Sequence, residues 1–233
     1  MMPKTCIEAV LFDLDGTLLD TAADFIEVLR QLRAEHMLAA LPDHEVRGQV
    51  SNGARALVTL ALGLVEGDPT FEENRLRLLE IYEQVLGSLT KPFPGIRELL
   101  VELQRRDVKW GIVTNKPSYL TLPLLAKVQL QPPTGSVVCP DHVVKTKPDP
   151  EPMYLACEQL DCSPEKTIYV GDHRRDIDAG RAAGMITVAA GYGYLAEGDD
   201  IHSWSADTIV ATSETLLDAI NLICEQIGSA SHD

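Results

Sequence analysis

The chain has 233 residues, 45% of them hydrophobic and 24% charged, which excludes a disordered or fibrous protein and allows one large domain or two small ones with a real core. With 20 Lys and Arg against 35 Asp and Glu the formal net charge is −15, so the average surface repels phosphate backbones and anionic lipid, and neither nucleic acid nor a membrane is expected as a partner. The five cysteines contain no C-x-x-C and suggest neither a disulfide framework nor a zinc knuckle. The N-terminal segment lacks a signal-peptide core, no apolar run nears the ~18 residues of a membrane span, and a cytoplasmic location is expected.

The first apolar, β-branched run, Ile7 to Phe12, predicts a strand that opens into Asp13-Leu14-Asp15-Gly16-Thr17. Alternation along an extended chain puts Asp13 and Asp15 on one side, and two carboxylates so close form a site for a hard cation or a shared proton. Gly16 permits a sharp turn, and Thr17 offers a hydroxyl and an amide to an anion. A solvated acidic turn is the plain alternative, but D-x-D-G-T arises by chance in a chain of this length with a frequency on the order of 10⁻³.

From Asp20 to about Lys91 the periodicity is helical. Phe25, Val28, Leu29 and Leu32 predict one apolar stripe, and Leu76, Leu79, Tyr82 and Leu86 another. The segment reads as an insertion after the first strand, left through Leu18 to Thr21 and re-entered through Lys91 to Gly95. Within it Ser51-Asn52-Gly53 predicts an N-cap for a helix from Ala54 to Leu62, with Arg55 in the first turn.

Beyond the insertion, helical patterns, among them Gly95 to Arg106 with Ile96, Leu99, Leu100 and Leu103 on one face, alternate with strands predicted at Trp110 to Thr114, Val137 to Cys139, Thr167 to Val170, Thr187 to Ala190 and Thr208 to Val210. That alternation predicts an open parallel α/β sheet, in which ligands gather beyond the carboxyl ends of the strands. Thr114-Asn115 follows one strand, Lys147-Pro148 sits in a loop, and Gly171-Asp172 ends another strand with Asp176 four residues on. His173 reads as a rim residue, since a hard cation prefers oxygen, Cys139 and His142 read as structural, and the tail Gly228 to Asp233 as frayed.

In this order, D-x-D-G-T, Thr-Asn, Lys-Pro and G-D-x-x-x-D resemble the four signature motifs of the haloacid dehalogenase superfamily, and the likeness spans the chain. It implies a Rossmann-like parallel-sheet core (residues 1–19 and 93–228), an inserted α-helical cap (20–92) and a tail (229–233). It further implies Asp13 as nucleophile, Asp15 as general acid and base, Thr114 as phosphate donor and Lys147 as the steadying cation. Mg²⁺ would be held by Asp13, the Asp15 carbonyl and Asp172, with Asp176 closing the site. Thr17, Asn115, Arg55 and Lys116 are the substrate-binding candidates. Asp15 separates the chain from dehalogenases, which lack that carboxylate, so hydrolysis of a small phosphomonoester is expected.

Thr114-Asn115-Lys116-Pro117 and Phe93-Pro94-Gly95 resemble phosphoglycolate phosphatases. Arg47-Gly48, Ser51 to Arg55 and Cys139 to Val143 look more like the phosphatases that act on N-acetylmuramic acid 6-phosphate in peptidoglycan recycling. Both substrates carry a carboxylate that Arg55 could grip, the alternative for Arg55 being a solvent-facing helix residue. A phosphosugar mutase of the same superfamily and a non-catalytic phospho-receiver module are the rival readings; the latter leaves no room for the insertion.

Overall fold

A computed structural model describes residues 6–230 of the chain. Its elements in order are β1 (Ala9–Phe12), β2 (Leu19–Asp20), α1 (Ala22–Glu35), α2 (Asp43–Arg47), α3 (Gly53–Leu62), α4 (Phe71–Val85), β3 (Lys91–Pro92), α5 (Ile96–Arg105), β4 (Lys109–Val113), α6 (Ser118–Val128), β5 (Ser136–Val138), α7 (Glu151–Leu160), β6 (Thr167–Gly171), α8 (Arg174–Ala182), β7 (Ile186–Ala190), β8 (Thr208–Val210) and α9 (Leu216–Ala230).

Six strands form one parallel sheet in the order β5-β4-β1-β6-β7-β8, and each coincides with a predicted apolar run to within two residues at either end. The runs are continuously apolar because helices cover both faces; all four residues of β1 are buried. The chain moves from β1 to β4 and β5 on one side and then returns to β6 on the other, leaving a crevice at the carboxyl end of β1. Register fixes what meets there. Phe12 lies opposite Ile112 and Val170, so Asp13 stands level with Val113 and Gly171, one residue short of Thr114 and Asp172.

The insertion is helical, as its periodicity predicts, and its exit and re-entry pair as a two-residue antiparallel ribbon, Leu19 with Pro92 and Asp20 with Lys91. On α1 the predicted stripe is buried. On α4 the predicted stripe holds at Tyr82 and Leu86, which are buried, but Leu76 is half exposed and the buried face takes in Phe71, Leu78 and Ile81 instead. Tyr82 anchors that face by stacking on Phe25 with ring centroids 4.2 Å apart. Asn52 precedes α3 without capping it through its side chain.

Two further expectations are corrected. Cys6 and Cys224 are disulfide-bonded, tying the segment before β1 to α9; the partners lie 218 residues apart, a separation no local spacing rule detects. Residues 228–230 continue α9 rather than fray, and residues 231–233 of the expected tail lie outside the described residues.

Asp24, fully buried on α1, organises the return from α4 to β3. Its carboxylate accepts from the main-chain N–H of Gly87 and of Leu89, both at 2.7 Å, and from the Thr90 hydroxyl at 2.6 Å. Replacing Asp24 by Ala strands these donors, which predicts a loss of about 2–4 kcal/mol in urea unfolding and a melting point lower by roughly 5–15 °C. A midpoint unchanged within about 0.5 kcal/mol would refute this role.

Candidate active site

At the carboxyl end of β1 the N–H of Leu14 donates to Oδ1 of Asp13 at 2.7 Å, and the Lys147 ammonium lies 3.0 Å from the same oxygen. Burial pushes the Asp13 carboxyl up to about 6; Asp176 and Asp15 add to the shift and Lys147 opposes it. Asp15 stands on the side of the helical insertion, where its Oδ1 accepts from the Thr21 hydroxyl at 2.6 Å and from Lys116 Nζ at 2.9 Å. Directly after Asp15, Gly16 adopts a φ of 80°, and a Cβ there would lie 2.1 Å from Asp172 Oδ2, so only glycine lets the β1 and β6 loops close together.

The Lys147 ammonium, with 1% of its side chain exposed, donates to the Val113 carbonyl, the Tyr169 hydroxyl and Asp176 Oδ1 at 2.9, 2.9 and 2.7 Å. Burial disfavours its charge, but Asp13 and Asp176 outweigh burial and raise its pKa. Asn115 donates its amide to the Lys147 carbonyl at 3.1 Å and so holds the Lys147 loop beside β4. The Thr114 hydroxyl oxygen accepts from the Lys116 N–H, which leaves its proton to give. Lys116 is also buried, over the rings of Phe25 and Tyr82, and Asp15 and Tyr82 raise its pKa against the cost of burial.

Asp172 receives three donors: the Thr17 hydroxyl on Oδ1 at 3.2 Å, and the Ser51 hydroxyl and Tyr194 N–H on Oδ2 at 3.1 and 2.9 Å. Burial, with Asp13 and Asp176 nearby, nevertheless pushes it up to about 8. Asp176 accepts the His173 N–H at 3.0 Å while the His173 ring accepts the N–H of Arg175 at 3.2 Å, a reciprocal cap on α8. His173 thus stands at the rim, its ring approaching Trp204 rather than the carboxylates. Asp13, Asp172 and Asp176 bring carboxylate oxygens within 4.8 Å of one another. Three buried carboxylates against one ammonium leave uncompensated negative charge in an all-oxygen donor set, the condition a hard divalent cation satisfies.

A cavity of about 660 Å³ opens over this cluster, with Asp13, Asp15, Thr114 and Lys147 in its floor and Phe25, Ser51 and Tyr82 of the insertion in its roof. Asn115, Lys116 and Arg55 also line it, although the Arg55 guanidinium is half exposed and paired with Glu66 at 3.0 Å and Glu72 at 3.3 Å. Thr17 departs from expectation. It is fully buried behind the cavity wall, and its hydroxyl goes to Asp172 instead of to a ligand. Tyr169, Ser51 and Tyr194 were not legible as site residues. The one signal was Tyr169, a hydroxyl in an otherwise apolar buried strand that must find a partner; Ser51 and Tyr194 reach Asp172 only through long-range folding.

The model of the haloacid dehalogenase-like hydrolase family matches residues 10–190. The chain is 42% identical over 220 residues to the N-acetylmuramic acid 6-phosphate phosphatase of Pseudomonas aeruginosa, covering 94% of this chain and 97% of the relative. It is 38% identical over 203 residues to a phosphoglycolate phosphatase of Xanthomonas campestris pv. campestris, covering 87% and 91%. Among solved structures, that of a predicted phosphoglycolate phosphatase from Haemophilus somnus superposes with a TM-score of 0.81 at 24% identity, over 93% of this chain and 99% of the other. A match through both ends of the acidic cluster, joined to near full-length relatives, means that the chain belongs to the haloacid dehalogenase-like hydrolase family.

Proposed function

We propose that the chain is a Mg²⁺-dependent phosphomonoesterase whose substrate is N-acetylmuramic acid 6-phosphate. The observation that carries the reaction is the Asp13 carboxylate. Its Oδ1 is occupied by Leu14 N–H and Lys147, which leaves Oδ2 as the attacking atom at the floor of the cavity. In the first step Oδ2 bonds to phosphorus while the ester P–O bond breaks, and Asp15 gives its proton to the departing alkoxide. Thr21 and Lys116 both hold Asp15 through Oδ1, so Oδ2 is the oxygen that carries this proton. In the second step Asp15 takes a proton from water, the water oxygen bonds to phosphorus, and the Asp13–phosphorus bond breaks to free phosphate. Thr114 donates to the phosphoryl oxygens throughout, and the Lys147 charge held against Asp13 offsets theirs. Asp13, Asp172 and the Asp15 carbonyl would hold Mg²⁺, with Asp176 behind them, and the ion when bound neutralises the charge of the phosphoryl group.

The substrate reading rests on similarity and on size. The 42%-identical relative bears that activity in its name. A cavity of about 660 Å³ lies within the range of roughly 300–1,000 Å³ that encloses a drug-sized ligand, which suits a phosphorylated amino sugar and leaves a two-carbon phosphoacid loosely held. Helices of the insertion, residues 20–92, would act as the cap that excludes water.

Phosphate release from a panel of phosphomonoesters tests the reading: N-acetylmuramic acid 6-phosphate is expected to give the highest kcat/KM, and a far higher value for phosphoglycolate would overturn the substrate while leaving the reaction. Asp13→Asn should lower kcat by more than about a thousandfold with the fold intact, since an amide is a poor nucleophile of the same volume. Activity within tenfold of wild type would remove Asp13 from the role. Chelation should abolish turnover and Mg²⁺ restore it; full activity with EDTA would exclude the metal-dependent mechanism.

A stability measurement checks the metal independently of turnover. Asp13 at about 6 and Asp172 at about 8 both lie above the unfolded value of roughly 3.9, so at these two positions the metal-free folded protein holds more protons than the unfolded chain between about pH 4 and pH 8. Their contribution to its stability therefore falls as pH rises through that window. A bound cation replaces those protons, so saturating Mg²⁺ should raise Tm more at pH 8 than at pH 5.5. An equal increment at both pH values would show that these carboxylates do not bind the ion.

A further inference from the structure

We infer that Arg175 binds the carboxylate of the substrate and selects for it, an inference that rests on the phosphatase reading above and supplies the specificity that the reaction residues do not. Five Lys and Arg side chains line the cavity. Lys147 is paired with Asp13 and Asp176, Lys116 with Asp15, Arg75 with Glu72 at 2.7 Å, and Arg55 with Glu66 and Glu72. Among the described residues Arg175 alone of the five has no carboxylate within ion-pair distance. Its Nε lies 3.1 Å from His173 Nδ1, and its Nη2 lies 2.8 Å from His173 Nε2 and 3.4 Å from Asn52 Oδ1, all on uncharged groups, while its Nη1 has no hydrogen-bond partner among the described residues.

A guanidinium offers five donors in a rigid fork matched to a carboxylate, and here part of that fork faces a cavity with its charge unspent. The group is also held in advance. The His173 ring accepts both the main-chain N–H and the Nε of Arg175, and the ring itself stacks near Trp204. Little side-chain entropy is lost when an anion arrives at a guanidinium already fixed. Asn52, from the insertion, completes the contact, so this position reads the ligand only with the helical roof in place. Arg55, the candidate from sequence, has 55% of its side chain exposed and two carboxylates already on it, which leaves little field for a third.

The test compares two substrates that differ in this one group: N-acetylmuramic acid 6-phosphate, and N-acetylglucosamine 6-phosphate, the same phosphorylated amino sugar without the lactyl carboxylate. With the full chain and Mg²⁺, the wild type should favour the acid by about ten- to a hundredfold in kcat/KM. Arg175→Gln should bring the ratio close to one, and Arg175→Lys, which keeps the charge without the fork, should retain part of it. An equal loss on both sugars would make Arg175 a support for Asp176 and overturn the inference. So would a preference that survives in Arg175→Gln and vanishes in Arg55→Gln. Calorimetric binding of both sugars to Asp13→Asn, alone and with Arg175→Gln, separates the two readings. Failure of the wild type to hydrolyse either sugar sinks the amino-sugar substrate on which the inference rests, whereas equal affinity of both sugars for Asp13→Asn sinks the role of Arg175.

Discussion

The buried ammonium of Lys147 is the contact on which the site depends. It joins Asp13 after β1, the Val113 carbonyl at the end of β4, Tyr169 within β6 and Asp176 on α8, so one cation reaches the carboxyl ends of three adjacent strands and the helix that follows them. An ammonium so desolvated survives only because two carboxylates and two neutral acceptors replace its water, and those carboxylates survive only because the ammonium is there. Removing it would leave Asp13, Asp172 and Asp176 facing one another in a dry crevice. The chemistry and the local fold therefore share a single electrostatic constraint, with the second cation implied by the acidic cluster completing the balance.

The helical insertion is bound to this centre through polar contacts rather than through apolar packing alone. Lys116 lies between Asp15 and the rings of Phe25 and Tyr82, and the Ser51 hydroxyl reaches Asp172. At the hinge Arg47 pairs with Asp20 while its guanidinium lies 4.8 Å from the Tyr194 ring centroid, and the Tyr194 N–H donates to Asp172. Movement of the roof would thus alter the surroundings of Asp15 and Asp172, which couples enclosure of the cavity to the state of its floor.

The residues that sequence made legible are those whose role follows from local geometry. Strand periodicity and the turn residues after each strand place Asp13, Thr114 and Asp172 at one sheet edge, because parallel register brings the ends of adjacent strands together whatever the side chains between them. What stayed hidden depends on partners distant in sequence. On α4 Leu78 and Ile81 are buried in place of Leu76, a choice made by α1 and α3 packed against that helix. Thr17 turns inward because Asp172, 155 residues away, takes its hydroxyl. The Cys6–Cys224 bond and the pairing of Arg55 with Glu66 and Glu72 belong to the same class: each residue type was visible, but the neighbour that decides its role was not.

A chain of net charge −15 that acts on a dianionic ester must reverse its own field over a few ångströms. Counting cations near the cavity does not show how it does so, since four of the five are already neutralised by carboxylates on the protein. On the reading proposed above, the attraction that remains would come from the charge of a divalent ion at the floor and from Arg175 at the rim. These two differ in kind. An ion held by the acidic cluster would meet the phosphoryl group, common to every phosphomonoester, and so would discriminate little among them. The guanidinium lies beside the roof residue Asn52, where it meets whatever group the rest of the substrate presents. An acidic surface then serves selectivity, because an anion that finds no fixed counter-charge inside the cavity is repelled by the remainder of the protein.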